Sequence, residues 1–172
     1  LTAKSYGING NKCELKPEED TNKVLKALDG ASYVVSDVKE SVKQRTPAPP
    51  FTTSTMQQEA ARKLGFTTKR TMQAAQQLYE GINITGRGTV GLITYMRTDS
   101  LRISSEFQAQ ARAYIKTVYG DEYITPAPRF YKTKKEAQDA HEAIRPTSLD
   151  LSPVKIKDNL SNDQFKLYKL VW

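Results

Sequence analysis

The run Thr46-Pro47-Ala48-Pro49-Pro50 most constrains what this 172-residue chain can fold into. Proline has no N–H to give a sheet ladder, and it drives the residue before it toward extended backbone. Neither a helix nor a central strand can cross this stretch, so the chain is expected to divide here. Before it, Leu1–Tyr6 and Lys12–Leu15 flank Gly7–Asn11 in the pattern of a hairpin. Pro17 with Glu18-Glu19-Asp20 then starts a helix through Val24, Leu25 and Leu28, stopped by Gly30. From Ser32 to Arg45, Val34, Ser36, Val38, Glu40 and Val42 alternate with mostly polar neighbours, which predicts a long, half-buried strand.

After the prolines the chain reads as helical. Ser54 and Gln57 stand at capping-box spacing ahead of Met56–Leu64, and Gly65 follows as a stop. Thr68 is placed to cap a helix over roughly Lys69–Glu80, with Met72, Ala75, Leu78 and Tyr79 on one face. Joined by Gly65-Phe66-Thr67, these two helices predict a helix-turn-helix-like pair. A glycine-rich turn from Gly81 to Gly91 feeds the apolar run Val90–Tyr95. Ser104 or Ser105 opens a helix to about Tyr119, closed by Gly120. A loop with Pro126 and Pro128 leads to an expected helix at Lys134–Ile144, ended by Pro146. A strand at Val154–Lys157 and a helix from Ser161, boxed with Gln164, complete the chain; Phe165, Tyr168 and Trp172 would line the buried side of that helix. The expected class is α+β.

Charge narrows the partners. The net charge is +7, and it is unevenly spread. Residues 1–50 carry eight bases against seven acids, whereas residues 51–120 carry nine bases against four acids, six of the bases being arginine. A basic segment beside a balanced one points to a polyanion. Cys13 is the single cysteine and His141 the single histidine. An internal disulfide, a cysteine zinc cluster and a histidine-rich metal site are therefore excluded, which fits a reducing cytoplasm. No run approaches the roughly 20 apolar residues of a membrane span, so no membrane partner is expected. The opening LTAKSYGING lacks a signal-peptide layout, and both ends read as cut from something longer.

The densest set of reactive side chains is Gly91-Leu92-Ile93-Thr94-Tyr95-Met96-Arg97-Thr98-Asp99-Ser100. A buried strand breaks there into a tyrosine, an arginine two residues on, and three further oxygen-bearing side chains. Most of the nine tyrosines should be packing residues, but Tyr95 stands at a strand end beside Arg97 and after a flexible glycine turn. With a pKa of ~10, a tyrosine needs activation to attack phosphate, and a nearby guanidinium favours the phenolate. The same cation can bind a non-bridging phosphate oxygen as charge builds on it. A phosphotyrosyl ester keeps the energy of the broken phosphodiester, so no nucleotide is needed, and no GxxxxGK loop followed by Ser or Thr is present. His141, with Asp139, Glu142 and Arg145 nearby, can hold a phosphate or relay a proton. Arg62, Lys63, Lys69, Arg70, Arg87, Arg102 and Arg112 read as phosphate contacts or solvated surface. Phe51, Phe66 and Tyr79 read as core.

The segment GLITYMRTDS resembles the active-site tyrosine motif of bacterial type IA DNA topoisomerases. PAPPFTTSTMQQEAARKLGF and AQQLYEG resemble the segment that leads to it, and AQDAHEAIRPT the one that follows. The resemblance implies a mainly helical tyrosine domain with a helix-turn-helix-like core over residues 50–148. That domain would be inserted into a β-containing arch domain, of which 1–49 and 149–172 are the two parts. It implies Tyr95 as nucleophile, Arg97 as phosphate binder and His141 as a pocket residue. Thr98, Asp99, Ser100 and Arg145 match positions supporting the site or the DNA backbone, and Arg87 and Arg102 are further candidate DNA contacts. The substrate implied is single-stranded or underwound DNA, cut through a 5′-phosphotyrosyl link and resealed without ATP. The remaining domains of the same polypeptide are implied partners. The family holds Mg²⁺ through a Toprim domain whose acidic cluster does not occur in this sequence. The chain is therefore expected to hold no metal itself and to be inactive alone.

Two other readings stay open. Tyrosine recombinases and type IB topoisomerases also attack phosphate with tyrosine, but there the tyrosine follows the His-x-x-Arg, whereas Tyr95 precedes His141. A helix-turn-helix module that only binds DNA, with Tyr95 structural, is the alternative from a different class.

Overall fold

The threonine run after the prolines sets the first long helix. In the computed structural model, which describes residues 4, 6–12, 14, 17–131 and 141–172, α2 spans Thr53–Leu64 and its cap is Thr52. Thr52 Oγ1 accepts from Thr55 N and Thr55 Oγ1 accepts from Thr52 N, which closes a capping box. The expected Ser54–Gln57 box is thus displaced by two residues. The reason is tertiary: as the first helical residue, Thr53 reaches Met96 and Thr98 across the fold. Gly65 ends the helix at φ 66°, where a Cβ is strained, and its N–H and that of Phe66 bond back to Ala61 and Ala60. The next helix, α3 at Thr68–Glu80, is capped by Thr67 rather than Thr68 and buries Thr71, Ala74, Ala75 and Leu78. Tyr79 lies off that face, 40% exposed.

Among the described residues there are five α-helices and two two-stranded antiparallel sheets, an α+β chain. They fall into two compact units, Leu1–Arg45 and Thr46–Trp172. In the first, β1 (Gly7–Ile8) pairs with β2 (Asn11–Lys12). Asn9 and Gly10 both take positive φ, the demand of a type I′ hairpin turn. The hairpin is tighter than expected, and parts of its expected arms lie outside the described residues, as does Cys13. Helix α1 (Glu18–Leu28) follows Pro17 with three acids in its first turn.

The expected strand at Ser32–Arg45 does not form. That stretch has no regular structure, and Val34, Val38 and Val42 stand 83%, 74% and 97% exposed. Alternation of side chains does not make a strand without a ladder to join. Among the described residues of this unit, none pairs with it.

In the second unit, α2 and α3 pack against α5 (Asn162–Val171). Ser161 and Gln164 form the expected box of α5, and it buries Leu167, Tyr168 and Val171, while Phe165 and Trp172 are half-buried. The core joins Met56, Ala60, Leu78, Leu92, Ile93, Met96, Ile144, Leu151, Ile156 and Tyr168. Residues beyond 149 thus share it. The glycine-rich turn is a hairpin of β3 (Ile82–Ile84) and β4 (Gly88–Val90), and α4 (Ser105–Tyr119) runs from Ser104 to Gly120 as expected. Val154–Lys157 is not a strand: Lys155 N and Ile156 N turn back onto Ser152 O, and Ile156 is buried. Of the expected helix Lys134–Ile144, residues 134–140 lie outside the described residues. Residues 141–144 are not helical, and Ile144 is bridged to Phe51.

Candidate active site

Tyr95 sits where three stretches of chain are laced together. Before it, Ile93 is bridged to Pro146, Thr94 N donates to Arg145 O at 2.9 Å, and Thr94 Oγ1 donates to Ala143 O at 2.7 Å. Arg145 N donates back to Thr94 Oγ1 at 3.0 Å. After it, Thr53 Oγ1 donates to Met96 O at 2.7 Å and accepts from Thr98 N at 2.9 Å. The backbone is therefore pinned on both sides of Tyr95 and Arg97 by two threonines, one of which belongs to the start of α2. These are contacts of residues more than 40 apart in sequence. The threonine run at 52–55 gave a capping signal but none for this second duty.

Burial alternates through the segment. Met96, Thr98 and Ser100 are buried, whereas Tyr95, Arg97 and Asp99 are exposed. Thr98 and Ser100 turn inward to shape the chain: Ser100 N donates to Thr98 Oγ1 and Arg102 N to Ser100 Oγ, local turns that short hydroxyl side chains favour.

The Tyr95 ring lies between two others. Its centroid is 5.4 Å from that of Tyr79, edge-on, and 5.4 Å from the His141 ring. The structure thus brings Tyr95 and His141 together, and adds Tyr79, which the sequence reads as core. Gly91 makes this possible, because a Cβ there would meet Tyr79 O at 2.7 Å. A Gly91→Ala variant should force the end of α3 off the tyrosine segment and lower stability by about 1–3 kcal/mol, measurable by urea unfolding; an unchanged midpoint would show the contact to be soft. Arg97 and Asp99 make no hydrogen bond or ion pair among the described residues, and the Tyr95 hydroxyl makes none either. Arg97 is thus an uncommitted cation two residues from the phenol.

Arg145 is committed elsewhere. Its guanidinium donates to Glu142 and to Pro146 O and stacks 3.9 Å over the Phe107 ring. Glu142 also accepts from Ser104 N at 2.7 Å. Burial alone would push the Glu142 carboxyl up, but Arg145 and Ser104 outweigh it and hold it below the usual carboxylate range. Arg145 therefore fastens the His141 segment to α4. Because the folded-state pKa of Glu142 is depressed, the stability it contributes is present above the unfolded value of ~4.3 and lost as pH falls through the folded value. Glu142→Gln should cost about 1–2 kcal/mol near pH 7, a discount for a pair that reaches the surface, and the gap from the parent should close as pH falls below ~4. Urea midpoints at pH 7 and pH 3.5 decide it, and a gap independent of pH would reject the charge account.

The other cations divide. Arg62 and Lys63 hold Glu59, Arg70 holds Asp163 and Arg87 holds Asp150. Arg102 and Lys69 have no carboxylate partner among the described residues. Among the described residues no three His, Cys, Asp or Glu side chains converge as metal ligands, and no helix is long and apolar enough to cross a membrane.

A family model described as DNA topoisomerase matches residues 3–172. DNA topoisomerase 1 of Rickettsia felis is 47% identical over 176 residues, covering 100% of this chain and 23% of the relative. The full-length topoisomerase I of Thermotoga maritima matches in structure with a TM-score of 0.72 at 42% identity, over 96% of this chain and 25% of that one. The chain spans about a quarter of the length of these relatives.

Proposed function

Because this chain belongs to the DNA topoisomerase family, we propose that it carries the nucleophile of a type IA enzyme and that the nucleophile is Tyr95. The observation that carries this reading is the setting of that residue. Its side chain is exposed and its hydroxyl makes no hydrogen bond among the described residues, its ring packs on both Tyr79 and His141, and its backbone is pinned on either side.

The chemistry follows from the groups present. The Tyr95 oxygen attacks phosphorus, the P–O3′ bond breaks, and the 3′ oxygen leaves and takes a proton. Arg97 offsets the negative charge gathering on the non-bridging oxygens. His141 beside the phenol orients the phosphate or carries a proton. Resealing runs the same exchange backwards: the 3′ hydroxyl attacks and the tyrosine leaves. Thr98 and Ser100 shape the segment from within, Asp99 and Arg102 face the strand, and Arg87 is a more distant backbone contact once freed from Asp150.

On this reading residues 50–148 are the tyrosine domain and 1–49 and 149–172 belong to an arch, in a cytoplasmic enzyme acting on single-stranded or underwound DNA. The described residues do not fit a metal site, so no step here runs through one; Mg²⁺ would be held by segments the relatives possess beyond this chain. The chain alone should not relax a negatively supercoiled plasmid, and efficient relaxation by the 172 residues would overturn that division of labour. The linkage itself is tested by trapping the adduct with end-labelled oligonucleotide in the longer enzyme. A 5′-phosphotyrosyl link retains the 3′ label on the protein; retention of the 5′ label would identify the opposite polarity and defeat the proposal.

A further inference from the structure

A cavity of about 550 Å³ lies between α4, the loop after it and the proline run. Its floor is apolar, with Leu101, Ile103 and Ile115 among the lining residues. Its charged groups are all of one sign: Arg102, Arg112 and Arg129 line it, and no carboxylate does among the described residues. Among the described residues, Arg112 has only a hydroxyl partner, Thr125, at 3.4 Å. Two aromatic rings at this cavity are left in water: Phe130 is 80% exposed and Tyr123 66%. One wall is tied to the other by Tyr131, whose hydroxyl lies 3.4 Å from Pro47 O and 3.4 Å from Ala48 O.

An apolar cavity of this size is of the kind that takes a ligand. Guanidinium groups with no carboxylate partner among the described residues select an anion, and exposed rings beside them select a flat π surface. Phosphate and a stackable base occur together in a nucleotide. The cavity is also joined to the tyrosine site: Ala143 N donates to Arg102 O at 2.8 Å, and Ser104 N donates to Glu142 at 2.7 Å. One short stretch of chain, 141–145, thus touches both Tyr95 and the cavity wall.

We propose that this cavity is a second binding site for single-stranded DNA, holding one nucleotide of the strand at a distance from the scissile phosphate. A base stacks on Phe130 or Tyr123, and Arg102, Arg112 and Arg129 take the flanking phosphates. The inference rests on the proposed action on DNA but not on the identity of the nucleophile. It adds an anchor that would keep one side of a cut strand on the protein while the other is held covalently.

The test uses the whole 172-residue chain and a fluorescein-labelled oligothymidylate in an anisotropy titration. Phe130→Ala should weaken binding about tenfold, the scale of one lost base stack; the ring is so exposed that its removal should leave the helical circular-dichroism signal intact. Arg129→Gln should lessen the dependence of log affinity on log salt by about 0.7, the value of one phosphate contact on a single strand. Unchanged affinity in Phe130→Ala together with an unchanged salt slope in Arg129→Gln overturns the proposal. So does equal affinity for thymidine 5′-monophosphate, which would mark a free-nucleotide site, or tight binding of 2-naphthoate without the oligonucleotide, which would mark a site for small apolar acids. The titration reads the cavity and the adduct assay reads the nucleophile, so failure of the cavity and failure of the nucleophile assignment are told apart.

Discussion

Replacing Tyr95 by phenylalanine in the longer enzyme is expected to abolish the covalent protein–DNA adduct, a fall of more than about four orders of magnitude in cleavage. Single-stranded DNA should still bind. The expectation rests on how little else the hydroxyl does. It has no hydrogen-bond partner among the described residues, so its removal should change stability by less than about 0.5 kcal/mol, the range for surface changes that break no special feature. The ring that packs 5.4 Å from Tyr79 and from His141 remains in the phenylalanine variant. A loss of cleavage could then not be blamed on the fold. Adduct formation on an end-labelled oligonucleotide, measured beside an unfolding curve, settles it. Cleavage that survives in the variant would leave the alternative of a DNA-binding module with a structural tyrosine.

What could be read in the sequence follows from the range of each signal. Helices α1, α4 and α5 and the end of α2 announce themselves because their caps and stops are local: Pro17 with three acids, Ser104 and Gly120, Ser161 with Gln164, and Gly65. Ser32–Arg45 carries the alternation of a strand, but a strand is a relation between two segments, and only one of them can be seen in that pattern. Val154–Lys157 looked extended until Ile156 was drawn into the core beside Leu151 and Tyr168. The same limit governs the site. Tyr95 and Arg97 are visible as neighbours, whereas the approach of Tyr79 and His141 needs the hairpin, the Gly91 contact and the Phe51–Ile144 bridge to be built first.

Thr53 is the clearest case of a functional residue hidden by range, and Thr53→Val is expected to have the second-largest effect. Valine keeps the shape and removes the hydroxyl that donates to Met96 O and Thr98 O and accepts from Thr98 N. Helix α2 should survive, since its cap is Thr52 and its box partner Thr55. The tyrosine segment should not keep its place, because a part-buried N–H and carbonyl are left with fewer partners, at a cost of about 2 kcal/mol. The loss falls on the residues flanking Arg97, whose guanidinium, on the proposed reading, must meet the phosphate to within a fraction of an ångström. Misplacement of about 1 Å is enough to lower the cleavage rate roughly 100-fold. Thr53→Ser, which retains the hydroxyl, should recover most of both losses. If Thr53→Val cleaves at the parent rate despite its lower stability, the pinning of the segment is a feature of folding alone. If rate and stability fall together and serine restores both, the start of α2 is part of the machinery that aims Arg97.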